Sequence, residues 1–489
     1  MSVQAIPAAI IGDTRVAGDV VQSVYDPANE DAVAQLQEAD AAVVDQAVRA
    51  AVAGYAEWRT VSVEGRQKVL RQMADLIDTN ADELADLETS NTGIPLAQAH
   101  GRHVKRAAHN FRFFADYIGQ AEGQIYEQDP AFLTLVRRES VGVAGLIAPW
   151  NAPIALGGMK IAASIAFGNS CVIKPSEQAS LGVTRLVEVL QQADTPRGVI
   201  NLVNGRGAIT GQALVVHPQV DRVSFTGGTT TGKAIMSAAG AHLKPCTMEL
   251  GGKSANIIFE SADFETALDG ALLGIFTNNG QQCLAGSRIL VQRSIADRFI
   301  EAFVERARKL RIDHPRSATV ELGPLASAPH RDRVLSFAAQ ARTEGARVLL
   351  GGERSTKFDR GYYIDPIIIA APSNDISACQ DEIFGPFASI LTFETPEEAY
   401  ALANATKFGL VSYVWTQDLM LAMEAQERLE SGVVWVNTPM MRELRAPFGG
   451  FKESGVGAEG GRACEQFYTR EKTVTIRKSR APLQRLGLG

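Results

Sequence analysis

Apolar residues early in the chain recur at the three- and four-residue spacing that places side chains on one face of a helix. Over residues 43–58 this spacing is kept by Val44, Val48, Val52 and Trp58. A second stretch, 64–88, repeats the pattern with residues such as Leu70 and Ile77 on its buried side. The pattern therefore predicts two helices in this part of the chain.

Beyond residue 140 the pattern changes to short apolar runs. They begin at Val143, Cys171, Val199, Val223 and Ala255, and the first three starts are 28 residues apart, with helix-like segments between them. Strands that alternate with helices at this interval form βαβ units. We therefore predict an α/β protein with a parallel, doubly wound sheet.

A second series of apolar runs indicates a second α/β domain beginning near Gly251. Helical segments at 296–310 and 396–404 again separate the runs. The runs lie at 288–291, 347–350, 389–393, 410–415 and 432–436.

Two segments, 132–138 and 472–478, alternate apolar and polar residues and fit neither series. Such alternation is typical of an antiparallel strand with one face in solvent. An isolated hairpin is barely stable, and pairing with another subunit would remove its open edges. We therefore predict an oligomerisation arm and a homo-oligomer.

Composition limits the class of protein. A chain of 489 residues predicts two or three domains, and 46% hydrophobic with 21% charged residues is typical of a globular protein. The net charge of −7 argues against a nucleic-acid partner. No apolar run is long enough to cross a membrane, and the first eighteen residues lack the pattern of a signal peptide.

The five cysteines are odd in number and widely spread, without a CxxC pair. This distribution favours reduced thiols in a cytoplasmic protein over disulfides or a zinc site. His100, His103 and His109 lie close in sequence, but no cysteine or carboxylate stands among them at ligand spacing, so we expect no metal.

One thiol and one carboxylate stand in glycine-marked turns, in Glu249-Leu250-Gly251-Gly252-Lys253 and Asn279-Gly280-Gln281-Gln282-Cys283. An ionised thiol is a strong nucleophile, and a carboxylate can accept a proton from water or thiol. Brought into one cleft, Cys283 and Glu249 could form a covalent acyl intermediate and hydrolyse it.

A glycine loop, Gly227 to Gly232, follows the run 223–226 and precedes Lys233. Glycines between a strand and a helix let backbone N–H groups bind a pyrophosphate. The stretch nearly spells the P-loop of kinases and ATPases, but Ala234 stands where a magnesium-binding Ser or Thr is needed. Lys174 and Glu177, after another predicted strand, are placed to bind the hydroxyls of an adenosine ribose.

Taken together, these motifs resemble the aldehyde dehydrogenases from about residue 25 to the C-terminus. The ordered motifs that carry the resemblance are Pro149-Trp150-Asn151, Lys174-Pro175-Ser176-Glu177, Phe225-Thr226-Gly227, the two turns with Glu249 and Cys283, Glu382-Ile383-Phe384-Gly385-Pro386 and Pro447-Phe448-Gly449-Gly450.

The resemblance implies an NAD-dependent enzyme in which Cys283 is the nucleophile, Glu249 the general base, Asn151 the oxyanion donor and Lys160 part of a proton path. It implies an NAD-binding domain (1–122 and 141–250), a catalytic domain (251–445) and a bridging domain (123–140 and 465–489) that builds dimers or tetramers. The implied cofactor contacts are Trp150, Lys174, Ser176, Glu177, Gly207, Phe225, Gly227, Gly228, Leu250, Glu382 and Phe384. The family commonly has serine at the position of Gly228, so one hydrogen bond to the pyrophosphate would be missing here.

Arg106 and Arg442, with their flanking residues, resemble one branch of the family. That branch is the 2-aminomuconate and hydroxymuconic semialdehyde dehydrogenases, in which the matching arginines bind the substrate carboxylate. A guanidinium binds a carboxylate through two parallel hydrogen bonds. The resemblance therefore implies a carboxylated aldehyde substrate from aromatic degradation, with Arg112 and Arg445 as alternates for the two arginines.

Other functions remain open at this point. A generalist aldehyde dehydrogenase would share every motif except the arginines, whereas a CoA-acylating enzyme usually lacks the glutamate base. A non-enzymatic protein of the same fold should have lost Cys283 or Glu249. Glu177 favours NAD, because a carboxylate beside the ribose repels the 2′-phosphate of NADP.

Overall fold

The strand–helix alternation predicted after residue 140 builds two largely parallel sheets. The computed structural model describes residues 4–478 and 486–487. Within them, strands β1 to β23 are, in chain order, Gln4–Ile6, Ala9–Ile11, Thr14–Val16, Asp19–Tyr25, Ala32–Glu38, Gln124–Tyr126, Phe132–Ser140, Val143–Ile147, Ser170–Lys174, Ile200–Val203, Arg222–Thr226, Cys246–Glu249, Ala255–Ile258, Arg288–Gln292, Arg347–Leu350, Ile367–Ala370, Phe387–Phe393, Phe408–Gly409, Val411–Trp415, Val433–Val436, Phe451–Lys452, Gly455–Val456 and Thr469–Arg477.

Helices surround these sheets and carry several of the predicted site residues. In the same described part, helices α1 to α16 are Ala41–Trp58, Val63–Thr79, Ala81–Thr92, Leu96–Gln98, Lys105–Tyr117, Pro153–Ala166, Leu181–Leu190, Gln212–Val216, Thr229–Gly240, Phe264–Phe276, Arg293–Arg308, Ala328–Thr343, Ser377–Gln380, Pro396–Asn404, Leu419–Arg428 and Gly461–Tyr468. A π-helical turn, Ala99–Val104, leads into α5.

The first sheet has the order β22-β12-β11-β8-β9-β10-β2-β3, and its five central strands, β12 to β10 in that order, are parallel. The chain runs outward from β8 in both directions, to β9 and β10 on one side and to β11 and β12 on the other. Ligands of such sheets bind beyond the carboxyl ends of the strands near this reversal. The predicted doubly wound sheet is therefore confirmed, and it fixes where a cofactor crevice would lie.

The second sheet has the order β15-β16-β17-β14-β13-β19-β20 and is parallel except for β15. Strands β13 and β14 carry uninterrupted buried runs because helices cover both of their faces. This sheet begins at Ala255, close to the predicted start near Gly251. The residue boundaries of the three domains stay predictions.

Both alternating segments form antiparallel strands, as predicted, and they pair with each other. Strands β7 and β23 form an antiparallel ladder from Thr469↔Ser140 to Arg477↔Phe132, and β6 joins the other edge of β7. Several apolar side chains of this three-stranded sheet are exposed, including Ile125, Tyr126 and Ile476. The sheet is therefore placed to meet another surface, while its oligomeric role stays a prediction.

The second predicted helix, 64–88, is wrong as a single element. Helix α2 ends at Thr79 and α3 begins at Ala81, because Asn80 leaves helical geometry at φ −102° and ψ 18°. The Asn80 side chain donates to the Leu76 carbonyl at 2.8 Å, which satisfies one acceptor of the broken end. Strands β1 to β5 were not predicted. Strands β1 to β3 have three residues each and carry little periodicity, whereas β4 and β5 have seven residues each and were missed.

Helix α6 is fixed at both ends, which matters because it follows Asn151 and carries Lys160. Its N-terminus lacks a side-chain cap from Ala152, and the buried Glu88 carboxylate accepts the Ile154 N–H at 3.1 Å instead. At the other end, Trp58 donates its indole N–H to the Ile165 carbonyl at 2.8 Å. The helix therefore holds its polar residues in fixed positions.

No helix in the described residues is long and apolar enough to cross a membrane. In those residues no group of three or more His, Cys, Asp or Glu side chains is arranged to hold a metal ion. Instead, His100 lies against Asp82 at 3.3 Å, and His103 pairs with the buried Glu88.

Candidate active site

Asn151 and the cysteine loop are held together by direct hydrogen bonds. Asn151 follows strand β8 and donates its side-chain amide to the Gln281 carbonyl at 2.9 Å. In return, Asn278 donates to the Asn151 carbonyl at 3.0 Å. These bonds tie the predicted oxyanion donor to a residue two positions before Cys283.

The turn that carries Cys283 depends on left-handed backbone. Asn278, Asn279 and Gly280 have φ values of 57°, 56° and 69°. A Cβ on Gly280 would lie 2.3 Å from the backbone of Gly385, so only glycine fits there. Tyr413 then donates its hydroxyl to the Leu284 carbonyl at 2.7 Å and holds the far side of the loop.

The Cys283 thiol is neutral at rest. Burial is the main cause that raises its pKa to about 12, and the nearby Glu382 and Glu249 carboxyls raise it further. The Arg106 charge opposes this rise. Since only the thiolate attacks a carbonyl, a base must take the thiol proton before or during attack.

Glu249 ends strand β12 in a position suited to such a base. Both carboxyl oxygens are buried and have no hydrogen-bond partner within the described residues. Burial raises the pKa of this carboxyl well above 4.5, and Glu459 raises it further, whereas Lys160 and Arg442 act in the opposite direction. A carboxyl with a raised pKa can accept and release protons near neutral pH.

Lys160 does not stand alone beside Glu249. Its ammonium donates to Glu459 at 2.7 Å and to Ser224 at 2.8 Å, and the exposed fractions of the Lys160 and Glu459 side chains are 1% and 9%. Although burial opposes ionisation of Glu459, the Lys160 charge holds its pKa below 4.5. The result is a buried ion pair next to the predicted base.

Lys174 and Glu177 form a polar corner where strand β9 ends. The Lys174 ammonium donates to Glu177 at 3.2 Å and to the Pro175 carbonyl at 2.9 Å, and Glu177 accepts the Gly207 N–H at 3.4 Å. Burial opposes ionisation of Glu177, yet Lys174 and these backbone donors keep its pKa lowered. Ser176 lies in the same turn and accepts the Gln178 N–H at 3.3 Å.

The glycine loop after strand β11 leaves room for a phosphate. Gly228 precedes α9, and no side chain caps the first N–H groups of that helix. A Cβ at Gly228 or Gly207 would meet nothing within 4 Å. Open space over a glycine, beside the N-terminus of a twelve-residue helix, fits a pyrophosphate.

The remaining predicted cofactor residues support this loop. Gly227 donates to the Glu249 carbonyl at 3.0 Å, which ties the phosphate loop to the strand that carries the base. The Phe225 ring lies under Gly227, and the Leu250 side chain packs where a Cβ on Gly232 would be. Phe225 and Leu250 are buried, so they shape the crevice from below.

Glu382 and Phe384 lie across the crevice from these glycines. Glu382 accepts the Gly252 N–H at 3.0 Å, and burial raises the pKa of this carboxyl to about 7. Phe384 has a left-handed backbone, with φ 64°, and its ring meets the Trp150 ring edge-on at 5.1 Å between centroids. The motifs that contain Trp150 and Phe384 are therefore in contact through these two rings, which form an aromatic corner of the site.

The structure distinguishes the two predicted arginines, Arg106 and Arg442, from their two alternates. Burial and the neighbouring Arg442 charge lower the pKa of Arg106 to about 10, and Arg106 also interacts with Cys283 and Glu459. Arg442 stacks over the Phe448 ring at 4.3 Å. Both side chains are only partly exposed.

The alternates are engaged elsewhere. Arg112 bridges Asp75 and Asp78 at 2.6 and 2.7 Å, and the exposed Arg445 pairs with Glu443 at 2.9 Å. By contrast, the Arg106 charge lowers the pKa of Cys283, and the Arg442 charge lowers the pKa of Glu249 and Glu459.

A protein-family model described as the aldehyde dehydrogenase family matches residues 16–474 of the chain. The chain belongs to the aldehyde dehydrogenase family. Membership confirms the predicted fold and the predicted class of enzyme.

Relatives of this aldehyde dehydrogenase include a semialdehyde dehydrogenase. The 5-carboxymethyl-2-hydroxymuconate semialdehyde dehydrogenase of Escherichia coli is 40% identical over 456 residues, covering 92% of this chain and 97% of that protein. HpcC from Thermus thermophilus has a crystal structure with a TM-score of 0.96 at 38% identity, covering 99% of this chain and 95% of its own. An NAD⁺ complex of an aldehyde dehydrogenase from Bacillus cereus has a TM-score of 0.94 at 36% identity, covering 97% of both chains.

Several residues of this aldehyde dehydrogenase site were not predicted from sequence. Glu459 and Ser224 contact Lys160, Phe448 supports Arg442, and His330 contacts Trp150 and Phe384. Glu459 stands in a glycine-rich segment near the C-terminus, Gly457 to Gly461, and that composition marks a turn in which a buried carboxylate could have been sought.

Proposed function

We propose that the enzyme oxidises a carboxylated, muconate-type semialdehyde, such as a hydroxymuconic or aminomuconic one, to the dicarboxylic acid in aromatic compound degradation. NAD is the cofactor of the proposed reaction. The observation that carries the substrate proposal is the Arg442 guanidinium. Its Nε and Nη2 atoms are buried and have no hydrogen-bond partner among the described residues.

Buried N–H groups without an acceptor are costly, because they have lost water and gained no hydrogen bond. A substrate carboxylate would satisfy two of these donors at once. The neighbouring Arg106 would add a second positive charge on the same side of Cys283. A neutral aldehyde would leave the buried Arg442 donors unsatisfied.

An apolar wall beside Cys283 supports an unsaturated substrate. Leu410, Tyr413 and Trp435 are buried there, and Met440 and Phe448 pack against them. Tyr413 and Trp435 lie with ring centroids 5.1 Å apart. Flat apolar surfaces favour a planar conjugated chain, whose carboxylate would then extend towards Arg442.

The proposed covalent steps occur on Cys283. Its thiol proton passes to Glu249, the sulfur forms a bond to the aldehyde carbon, and the carbonyl electron pair moves to oxygen to give a thiohemiacetal. The Asn151 amide would have to turn from the Gln281 carbonyl towards this oxyanion, because it donates to that carbonyl at 2.9 Å. Such a donor typically contributes a few kcal/mol to the transition state.

Bound NAD supplies the acceptor for the hydride that the thiohemiacetal carbon loses, which leaves a thioester on Cys283. Lys174, Glu177, Gly207, Gly228 and Glu382 are the residues proposed to hold it. Glu249 must return its proton to solvent before it acts again, when it accepts a proton from the water that attacks the thioester. The carbon–sulfur bond then breaks with its electron pair on sulfur, Glu249 returns the proton to the Cys283 thiolate, and the second carboxylic acid is released.

The test compares kcat/KM for a muconate semialdehyde and for benzaldehyde in Arg442→Met and Arg445→Met. Arg445 is the matched control, because it lies three positions away and pairs with Glu443 on the surface. We expect Arg442→Met to lose about 10- to 150-fold on the carboxylated substrate, the value of a hydrogen bond to a charged group. Benzaldehyde oxidation should change little in either variant.

Equal losses on both substrates would contradict the carboxylate proposal. So would an unchanged kcat/KM for the semialdehyde in Arg442→Met. Either result would favour a generalist aromatic or aliphatic aldehyde dehydrogenase, for which the apolar wall beside Cys283 would suffice.

We also propose that the β6-β7-β23 sheet is the arm of a homo-oligomer. Its exposed Ile125, Tyr126 and Ile476 side chains would be covered by a partner copy. Light scattering on Ile125→Glu and Ile476→Glu variants tests this proposal, and a mass equal to that of the unchanged protein would contradict it.

A further inference from the structure

Two side chains from the first turns of helix α12 bind three consecutive backbone carbonyls elsewhere in the chain, those of residues 382–384. Arg333 donates from its two terminal nitrogens to the Glu382 carbonyl at 2.7 Å and to the Ile383 carbonyl at 2.9 Å. His330, one turn earlier, lies 2.7 Å from the Phe384 carbonyl through its Nε2. Two side chains on one face of α12 thus bind the whole Glu382–Phe384 segment.

This segment has a shape that it would not keep unaided. Phe384 has a φ of 64°, a backbone angle that residues other than glycine and asparagine seldom adopt. Its neighbour Glu382 must point its carboxyl towards Gly252 to accept that N–H at 3.0 Å. Because the carbonyls of Glu382 and Phe384 are both hydrogen-bonded, the backbone is fixed at both residues, and so are the directions of their side chains.

His330 also completes the aromatic corner. Its ring meets the Trp150 ring at 5.1 Å and the Phe384 ring at 6.2 Å between centroids, in both cases edge-on. Burial lowers the pKa of His330 to about 4, so the ring is neutral at neutral pH and donates through one nitrogen only. The Phe384 carbonyl, which can only accept, identifies Nε2 as that donor.

We propose that His330 and Arg333 are positioning residues that hold Glu382, Phe384 and Trp150 in the arrangement that receives the cofactor. This inference rests on the proposed use of NAD. Neither residue is assigned a contact with the reacting atoms. Without these two side chains, the Glu382–Phe384 segment would sample other conformations. NAD would then bind only to the fraction of molecules in the competent conformation, which lowers the apparent affinity.

The test uses full-length protein without aldehyde, so that no turnover occurs, and measures the NAD dissociation constant by calorimetry. The variants are His330→Phe, which keeps an aromatic ring but removes the donor, His330→Gln, which keeps a neutral donor, and Arg333→Met. Arg342→Met is the matched control, because Arg342 lies on the same helix and faces Glu353 at 3.4 Å.

We expect His330→Phe to weaken NAD binding roughly three- to tenfold, the size of one lost hydrogen bond. Arg333→Met loses two hydrogen bonds and should weaken NAD binding at least as much. His330→Gln should recover most of the affinity, and Arg342→Met should match the unchanged protein. Hydrogen exchange of peptides covering 382–386 should be faster in His330→Phe and Arg333→Met even without NAD.

Unchanged NAD affinity in both His330→Phe and Arg333→Met would overturn the inference, as would exchange at 382–386 that is no faster than in Arg342→Met. Failure of the unchanged protein to bind NAD would instead overturn the proposed cofactor. The two failures are therefore distinguishable in one set of measurements.

Discussion

Replacing Glu459 by glutamine is expected to shift the pH dependence of thioester hydrolysis to lower pH. The Lys160 ammonium lies 2.7 Å from Glu459, and at an effective dielectric constant of about 20 this separation corresponds to an attraction of about 6 kcal/mol. That attraction opposes the effect of burial and holds the pKa of Glu459 below 4.5. The ionised Glu459 in turn raises the pKa of Glu249.

The sign of the shift follows from these charges. Glu249 must be deprotonated to accept a proton from water, so hydrolysis rises with pH until the pKa of Glu249 is passed. Glu459→Gln removes a like charge and leaves the Lys160 charge unshared, and both changes favour ionised Glu249. We expect the acid limb to fall by about one to two pH units, equivalent to ~1.4–2.7 kcal/mol.

Quenched-flow measurement of acid released from the acyl-enzyme, between about pH 5 and 9, reports this limb directly. Lys160→Met is the comparison variant. It removes a charge that lowers the pKa of Glu249 but also lets Glu459 take up a proton, and these effects oppose each other. The reasoning is refuted if the limb in Glu459→Gln stays in place or moves to higher pH.

Three further variants test other parts of the site. Asn151→Ala should lower kcat by about 10²- to 10³-fold in steady-state assays with unchanged circular dichroism, since one oxyanion donor is lost; a loss below tenfold would exclude that role. Gly252→Ala should abolish formation of the acyl-enzyme, detected by mass spectrometry, because its Cβ would lie 2.5 Å from the Cys283 carbonyl oxygen; normal acylation would contradict the observed packing. Glu177→Ser should raise kcat/KM with NADP relative to NAD, since the carboxylate that repels a 2′-phosphate is gone; an unchanged cofactor ratio would show that Glu177 does not face the ribose.

Sequence patterns predicted the central sheets because their strands are buried on both faces. The run 143–147 is buried throughout, so its apolar residues are continuous and easily recognised. The break at Asn80 was missed, because apolar spacing continues on both sides of it while the backbone changes direction. Periodicity reports which face is buried and says little about where one helix ends and another begins.

Site residues next to glycine motifs could be picked out from the sequence, whereas their distant partners could not. The contact between Lys160 and Glu459 spans 299 residues of sequence, so no local pattern contains both. Arg106 and Arg112 illustrate a second limit, since they lie on one helix and only one of them faces Cys283. The π-helical turn at Ala99–Val104 adds a residue to a turn just before this helix, which shifts the direction of every later side chain.

Strand β23 completes a sheet whose central strand was made much earlier, as the bond between Arg138 and Thr469, 331 residues apart, demonstrates. At the usual rate of about 5–20 residues per second, a ribosome needs roughly 20 to 60 seconds to reach β23 after finishing β7. For that period one edge of β7 has no strand to pair with. Arg137, Arg138 and Glu139 place charges along β7, and charged edges discourage strands of neighbouring nascent chains from pairing. The charges on β7 are therefore suited to discourage such pairing until β23 has emerged.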